Sequence, residues 1–446
     1  MTRHRRLSSS RRTFLKSSIA ASTLFGLGVP LLNQPHSVAA ASRVRAHEWH
    51  TAPRDNENTA EVSARSLDGN FQLEQNANGT FERQRTFVSD VYDASNDFNM
   101  VGMRWIADVP PATMLAVEIR SSLDGREWTN WTPVGHVLQR DDHDVTTAET
   151  FTDAVEVGRA GSMQYRIMLS TENPQLSPTV RRVTATLLDA LDSPTLDDLA
   201  QRGPGIPFTI TQTDPPLTKF IPRDGPLGWN PDVIPPDSPL YWPPLSGEFP
   251  FEFVTIHHTA GANNPENPLA TVRAIWYYHT ITLGWGDIGY HFLIDQFGNV
   301  YEGRDGGDST VGGHVFRYNS HNCGISFLGQ FQPNAPDVPY PGGEPTLEAR
   351  YSATVLAAIE SVFHDFDLRE QHTYPFPTAD CRPQIDNYRL SGHRDWGHPD
   401  SCVATACPGD NLYQYLPQIR EDAAELVPVV ERSTLARVLS RILAVR

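Results

Sequence analysis

The sequence predicts two folds in tandem: an all-β, sandwich-like domain over residues 81–190, then an α/β domain over residues 218–428 with a mixed central sheet flanked by helices. Three observations carry this reading. Short runs with two-residue alternation crowd the first region, strand and helix periods take turns in the second, and a proline-dense stretch lies between them.

In the first region, "MLAVEIRS" alternates Leu115, Val117 and Ile119 with Ala116, Glu118 and Arg120. "QYRIMLS" sets Tyr165, Ile167 and Leu169 on one face, and "TVRRVTATLLD" supplies a last strand. Asp124-Gly125 marks a tight turn between "EIRSSL" and "REWTNW". Many short strands of this kind read as a sandwich. Trp128 and Trp131 are expected in its core, with a sugar-stacking platform as the alternative. Residues 42–80 are polar and aperiodic and read as a linker, and residues 191–217 as a proline-rich one. The prolines continue to Pro250, in a connector whose Trp229, Tyr241 and Trp242 need a surface to bury against.

The α/β domain opens with the strand "FVTIHH". "NPLATVRAIWYYHT" reads as a helix with Asn267 as N-cap, Pro268 in the first turn, and Val272, Ile275, Trp276 and His279 on one face. "YHFLID" and "VYEGR" form a hairpin about Phe297-Gly298-Asn299, and "CGISFLGQF" is a further strand. Thr346 caps the long helix "TLEARYSATVLAAIESVFHDF", "LSGHRD" ends another strand, and a helix follows "CPGDNLY".

The chain has 446 residues and a net charge of −17, with lysine only at Lys16 and Lys219. Such an acidic chain is unsuited to binding nucleic acid through phosphates. In residues 1–41, Arg11-Arg12 precede Phe14-Leu15-Lys16, the apolar run "SIAASTLFGLGVPLL" and the small residues Ala39, Ala40 and Ala41. This segment resembles a twin-arginine export signal, which implies an extracellular, cell-wall or periplasmic protein. Its removal would take six positive charges from −17 and leave −23. No other segment is long and apolar enough for an integral membrane span. Residues 429–446 read as a basic C-terminal helix, packed or touching an anionic wall or membrane surface.

Metal-capable residues end three strands or loops: His257-His258, His393 in "SGHRDW" and Cys407 in "TACPGD". Two imidazoles and a thiolate suit Zn²⁺, and three protein ligands leave one tetrahedral position for water, as in catalytic sites. The blocks "FVTIHHTAG", "GWGDIGYHFLID", "FGNVYEGR", "GGHVFRYNSHNCGISFLGQF" and "TACPGD", with "FIPRDGPLGW" ahead of them, resemble the zinc-dependent N-acetylmuramoyl-L-alanine amidase and peptidoglycan recognition protein family.

That resemblance implies His257, His393 and Cys407 as the Zn²⁺ ligands, with Tyr290 and Thr405 as catalytic residues. His314, Asn319 and Arg304 become candidates for binding a peptidoglycan substrate. His258, His279 and His291 are given neighbouring or core roles. Two departures stand out. Ser326 occupies a position where one branch of the family has glutamate, and "WGHPDSCV" widens the spacing between His393 and Cys407, bringing in His398 and Cys402. Of the pairings open to Cys323, Cys381 and Cys402, a Cys381–Cys402 disulfide is favoured, with Cys323 a buried thiol. The activity implied is hydrolysis of the amide between N-acetylmuramic acid and L-alanine. The alternatives are non-catalytic peptidoglycan recognition and hydrolysis of another amide.

Overall fold

The computed structural model describes residues 44–51, 70–134, 137–138, 149–202, 206–208, 218–224, 228–229, 249–306, 309–333, 341–375, 383–398, 403 and 405–432. The expected export signal, Tyr241, Trp242, Cys381, Cys402 and the tail after Arg432 lie outside these residues.

The first region is all-β and antiparallel. Strand Arg45–Thr51 pairs with Thr179–Asp189, which pairs with Tyr92–Asp108; that strand pairs with Val155–Thr171, and the last with Thr113–Ser122. A sandwich-like domain was expected; hydrogen bonding joins ten strands into one sheet. Two 17-residue strands, Tyr92–Asp108 and Val155–Thr171, make the connection. Their register shifts around Phe98, and irregularities of this kind bend strands. Met103, Val117, Ile119, Ile167, Leu169 and Val183 lie in the core the sheet encloses.

Strand Arg45–Thr51 falls in the segment expected to be a linker. Its "RAHEWHT" carries His47 and Trp49 where an aliphatic alternation would announce a strand. Trp49 instead stacks on Tyr92, with ring centroids 4.9 Å apart. The second expected linker also holds structure. Helix Leu196–Arg202 is closed by reciprocal bonds between Thr195 and Asp198, and Ile206–Phe208 pairs with Thr218–Ile221. Trp128 and Trp131 are half-buried rather than in the core. The Arg120 guanidinium lies 4.8 Å and 4.6 Å from their ring centroids.

The α/β domain is built on a seven-stranded mixed sheet ordered Ile206–Phe208, Thr218–Ile221, Val300–Glu302, Phe292–Ile294, Asn322–Phe327, Phe253–His258 and Leu390–Gly392. The last four strands are mutually parallel. On one face Val254, Ile256, Cys323, Ile325 and Phe327 pack under helices Leu347–His364 and Leu416–Arg432. Period-two alternation therefore sends Thr255, His257, Asn322, Gly324 and Ser326 to the opposite face, so the sheet has an oily side and a chemical side. Thr346 caps its helix as expected, accepting the Ala349 N–H at 3.1 Å. Asn267 does not: its side-chain amide donates to the Ser193 and Pro194 carbonyls, tying helix Pro268–Tyr277 to the preceding segment. Trp229 finds the expected burial, donating its indole N–H to the Glu302 carbonyl at 2.7 Å.

Candidate metal and catalytic site

Sheet register brings the two candidate histidine ligands together. Ile256 pairs with Gly392, so the next residue on each strand, His257 and His393, leave the sheet side by side. Their ring centroids are 4.6 Å apart. Both lie at the carboxyl ends of parallel strands, where α/β sheets place ligands.

Cys407 comes from a loop fastened to these strand ends. Its carbonyl accepts the Arg394 N–H at 2.9 Å, and its Sγ accepts the His258 N–H at 3.4 Å. Thr405 Oγ1 accepts the Cys407 N–H at 3.0 Å and shapes the loop from the other side. One donor atom each from His257, His393 and Cys407 lies within 4.8 Å of the others. His398, the alternative ligand from the inserted loop, is exposed and is not one of the three.

A hydrogen-bond relay sets the tautomer of His257. His314 Nε2 lies 3.0 Å from the Asn322 carbonyl, which can only accept, so Nε2 carries the proton. Burial lowers the pKa of both imidazoles and keeps them neutral, which leaves His314 Nδ1 as an acceptor. It takes the proton of His257 Nε2 at 2.9 Å. The lone pair of His257 is thereby on Nδ1, which lies 3.7 Å from Cys407 Sγ. Tetrahedral zinc with ordinary Zn–S and Zn–N bonds separates S from N by roughly 3.6 Å. The donor set and its spacing therefore fit a zinc ion. Gly324 makes room for the relay, since a Cβ there would stand 2.6 Å from the His314 ring.

The relay revises two expectations. His314 was expected to line a substrate groove, but it is buried with its ring nitrogens engaged by His257 and Asn322. Asn319 was expected beside it, and is buried with Oδ1 accepting the N–H groups of His314 and Val315. His314 bonds His257 directly, and Asn319 fixes the backbone that carries His314. Arg304 is half-buried, and its guanidinium donates to the Ile288 and Trp285 carbonyls.

The sequence motifs contained His314, but its role follows from Gly324 and Asn322, which carry no motif signal of their own. His291 is likewise held inside, Nε2 donating to the Thr310 carbonyl and Nδ1 accepting the Gly324 N–H. Cys323 is buried, as expected.

Tyr290 lies beside the ligands, its ring centroid 5.4 Å from that of His257. Burial raises its pKa well above the ordinary value, the charges of Asp153 and Cys407 add to the rise, and Ser326 offsets part of it. The phenol is held protonated, as a donor. Burial likewise pushes the Cys407 thiol up, against the pull of the His258 N–H. A metal ion would reverse that and select the thiolate.

A parallel-rich sheet that gathers two imidazoles at its strand ends beside a loop thiol defines an α/β protein with a group of side chains that could hold a metal ion. Residues 248–410 match the N-acetylmuramoyl-L-alanine amidase family, and residues 41–187 match the peptidase C39 N-terminal domain. Peptidoglycan-recognition protein SC2 of Drosophila simulans is 36% identical over 163 residues, which are 36% of this chain and 70% of that protein. Peptidoglycan recognition protein 1 of Bos taurus is 32% identical over 172 residues, 38% of this chain and 72% of the relative. A solved complex of the peptidoglycan recognition proteins LCa and LCx with tracheal cytotoxin is 26% identical, covering 45% of this chain and 95% of that one, with a TM-score of 0.32. This chain belongs to the family of peptidoglycan recognition proteins and type 2 N-acetylmuramoyl-L-alanine amidases. The match from residue 41 also spans the segment first read as a linker, in keeping with its edge strand.

Proposed function

We propose that the protein is an exported zinc amidase that hydrolyses the amide joining N-acetylmuramic acid to L-alanine in peptidoglycan. The observation that carries this reading is the convergence of His257 Nδ1, His393 and Cys407 Sγ, with the tautomer of His257 already set for ligation. Zinc bound there would supply a Lewis acid for the amide carbonyl and lower the pKa of water to about 7.

The protein's own groups supply the rest. Tyr290, held as a phenol, is a donor for the negative charge that develops on the carbonyl oxygen. Thr405 keeps the Cys407 loop in place by accepting the Cys407 N–H, and the family resemblance assigns it a position beside the reacting amide. His314 and Asn322 hold the His257 ring at its angle. The twin-arginine segment directs export of the folded protein. Among the described residues no helix is long and apolar enough to cross a membrane.

The relatives' names favour a second reading, recognition of peptidoglycan without cleavage. A digest of purified peptidoglycan, with metal analysis of the same preparation, separates the two. New L-alanine amino termini without new reducing sugars are expected; stoichiometric wall binding without cleavage would favour recognition. The basic tail is proposed as a contact with anionic wall polymer, and deleting the residues after Val430 is expected to lower wall retention.

A further inference from the structure

The β domain reaches the site. The connection between strands Glu149–Thr152 and Val155–Thr171 carries Asp153 and Ala154, and these two residues line a narrow crevice of about 10 Å³, room for about one water molecule, together with Thr259, His279 and Tyr290. The turn is held from behind: Thr152 Oγ1 accepts the Met103 N–H at 3.1 Å and donates to the Asp153 carbonyl at 2.9 Å. Asp153 is half-buried, and its charge bears on both Tyr290 and Cys407.

The docking beneath this turn is close. Met100, Phe151 and Ala154 of the β domain share one apolar cluster with Ile275, Tyr278 and Tyr290. Gly102, inside a long strand, is where Tyr278 sits: a Cβ there would stand 2.1 Å from the Tyr278 ring. The Thr271 hydroxyl bonds the Glu156 carboxyl, and Arg273 donates to Ser193 Oγ at 3.0 Å. Domains that only share a chain meet through polar, mobile interfaces. This interface is apolar and keyed by a glycine.

We propose that the β domain is a working part of the amidase site, its Asp153 turn forming a wall of the cavity beside Tyr290 and presenting a carboxyl group to the bound substrate. Asp153 is then a substrate-positioning residue. A protonated carboxyl group accepts a hydrogen bond through its carbonyl oxygen and donates one through its O–H, and an N-acetylmuramoyl peptide carries partners for both on either side of its scissile amide. The identity of the substrate rests on the amidase reading above, whereas the two-domain construction of the cavity does not.

The test is a kinetic and binding comparison of full-length wild type with Asp153→Ala, Asp153→Asn and Gly102→Val, using a soluble N-acetylmuramoyl-L-alanyl peptide. Asp153→Ala is expected to lower kcat/KM by about tenfold or more, chiefly through KM, with zinc content and circular dichroism unchanged. Asp153→Asn, nearly isosteric, is expected to retain part of the loss-prone affinity through its remaining carbonyl. Gly102→Val is expected to displace Tyr278 and raise KM in the same sense. Wild-type kinetics in both Asp153 variants would overturn the proposal. So would faster turnover, which would make the turn a plug instead of a wall. If the wild type binds the peptide without cutting it, the amidase reading fails by itself. The affinity of Asp153→Ala for the same peptide, by calorimetry, then decides: weaker binding supports the wall and equal binding overturns it.

Discussion

Where they meet at the candidate site, the two domains contribute different buried ionisable groups. In the α/β domain the histidines next to the ligands are paired: His314 bonds His257 and the Asn322 carbonyl, and His291 bonds the Thr310 carbonyl and the Gly324 N–H. Burial keeps these rings neutral, and a neutral ring with both nitrogens bonded is cheap to bury. The β domain contributes carboxyl groups where it meets the site. Burial pushes Asp153 up to about 8 and Glu156 up to about 7. Desolvating an acid costs stability at neutral pH. The comparison teaches that the first set surrounds the candidate ligands with paired neutral rings, while the second keeps costly acids at the junction of the two domains.

The largest expected effect comes from breaking the cage itself. Cys407→Ser should abolish stoichiometric zinc binding and turnover together, read by metal analysis and peptidoglycan digestion; retained activity would place the third ligand elsewhere. Tyr290→Phe comes next. It removes the phenolic donor and leaves the ligands, so kcat should fall by roughly 10²-fold at unchanged zinc content. His314→Ala probes the relay, freeing the tautomer and angle of His257. Zinc affinity should weaken by about 10- to 100-fold in chelator competition, the range seen when a ligand's outer partner is lost. Unchanged affinity would return His314 to the substrate groove.

The smallest effect falls on the β-domain side, and its sign is fixed. A carboxyl whose folded pKa is about 8 binds its proton more tightly in the folded chain than in the unfolded one, where the ordinary value of 3.8 applies. Its favourable contribution is present in full below about pH 4 and is lost as pH rises through about 8. In metal-stripped protein, Asp153→Asn should match the wild-type Tm near pH 4 and exceed it increasingly toward pH 8. A gap that closes with rising pH would contradict the burial of this acid. A gain in stability at a loss in kcat/KM is what a functional group held at an energetic cost predicts.

Much of the α/β domain is legible in the sequence because its signals are local. "FVTIHH" and "NCGISF" display their apolar and polar faces by alternation, Thr346 announces its helix, and the ligand blocks stand at strand ends. Once Ile256 is opposite Gly392, the meeting of His257 and His393 follows. What escapes a sequence reading depends on distant partners. Arg45–Thr51 is an edge strand whose support is the Tyr92 ring, so its own alternation is weak. Asn267 has the composition of a cap, yet bonds carbonyls on a different segment. His314 looks the same in a motif whether it faces a groove or a ligand; only the closeness of Gly324 and Asn322 settles it. Asp153 belongs to a β turn with no motif at all, and Gly102 is a lone strand glycine until Tyr278 is seen against it.

X-ray absorption at the zinc edge on the purified full-length protein tests the heart of the matter most directly. The cage predicts one zinc per chain with a single sulfur near 2.3 Å and imidazole nitrogens near 2.0 Å, about the ordinary bond lengths, and loss of the zinc, and with it the sulfur shell, in Cys407→Ser. A zinc sphere without sulfur, or a sulfur that persists in that variant, would contradict it.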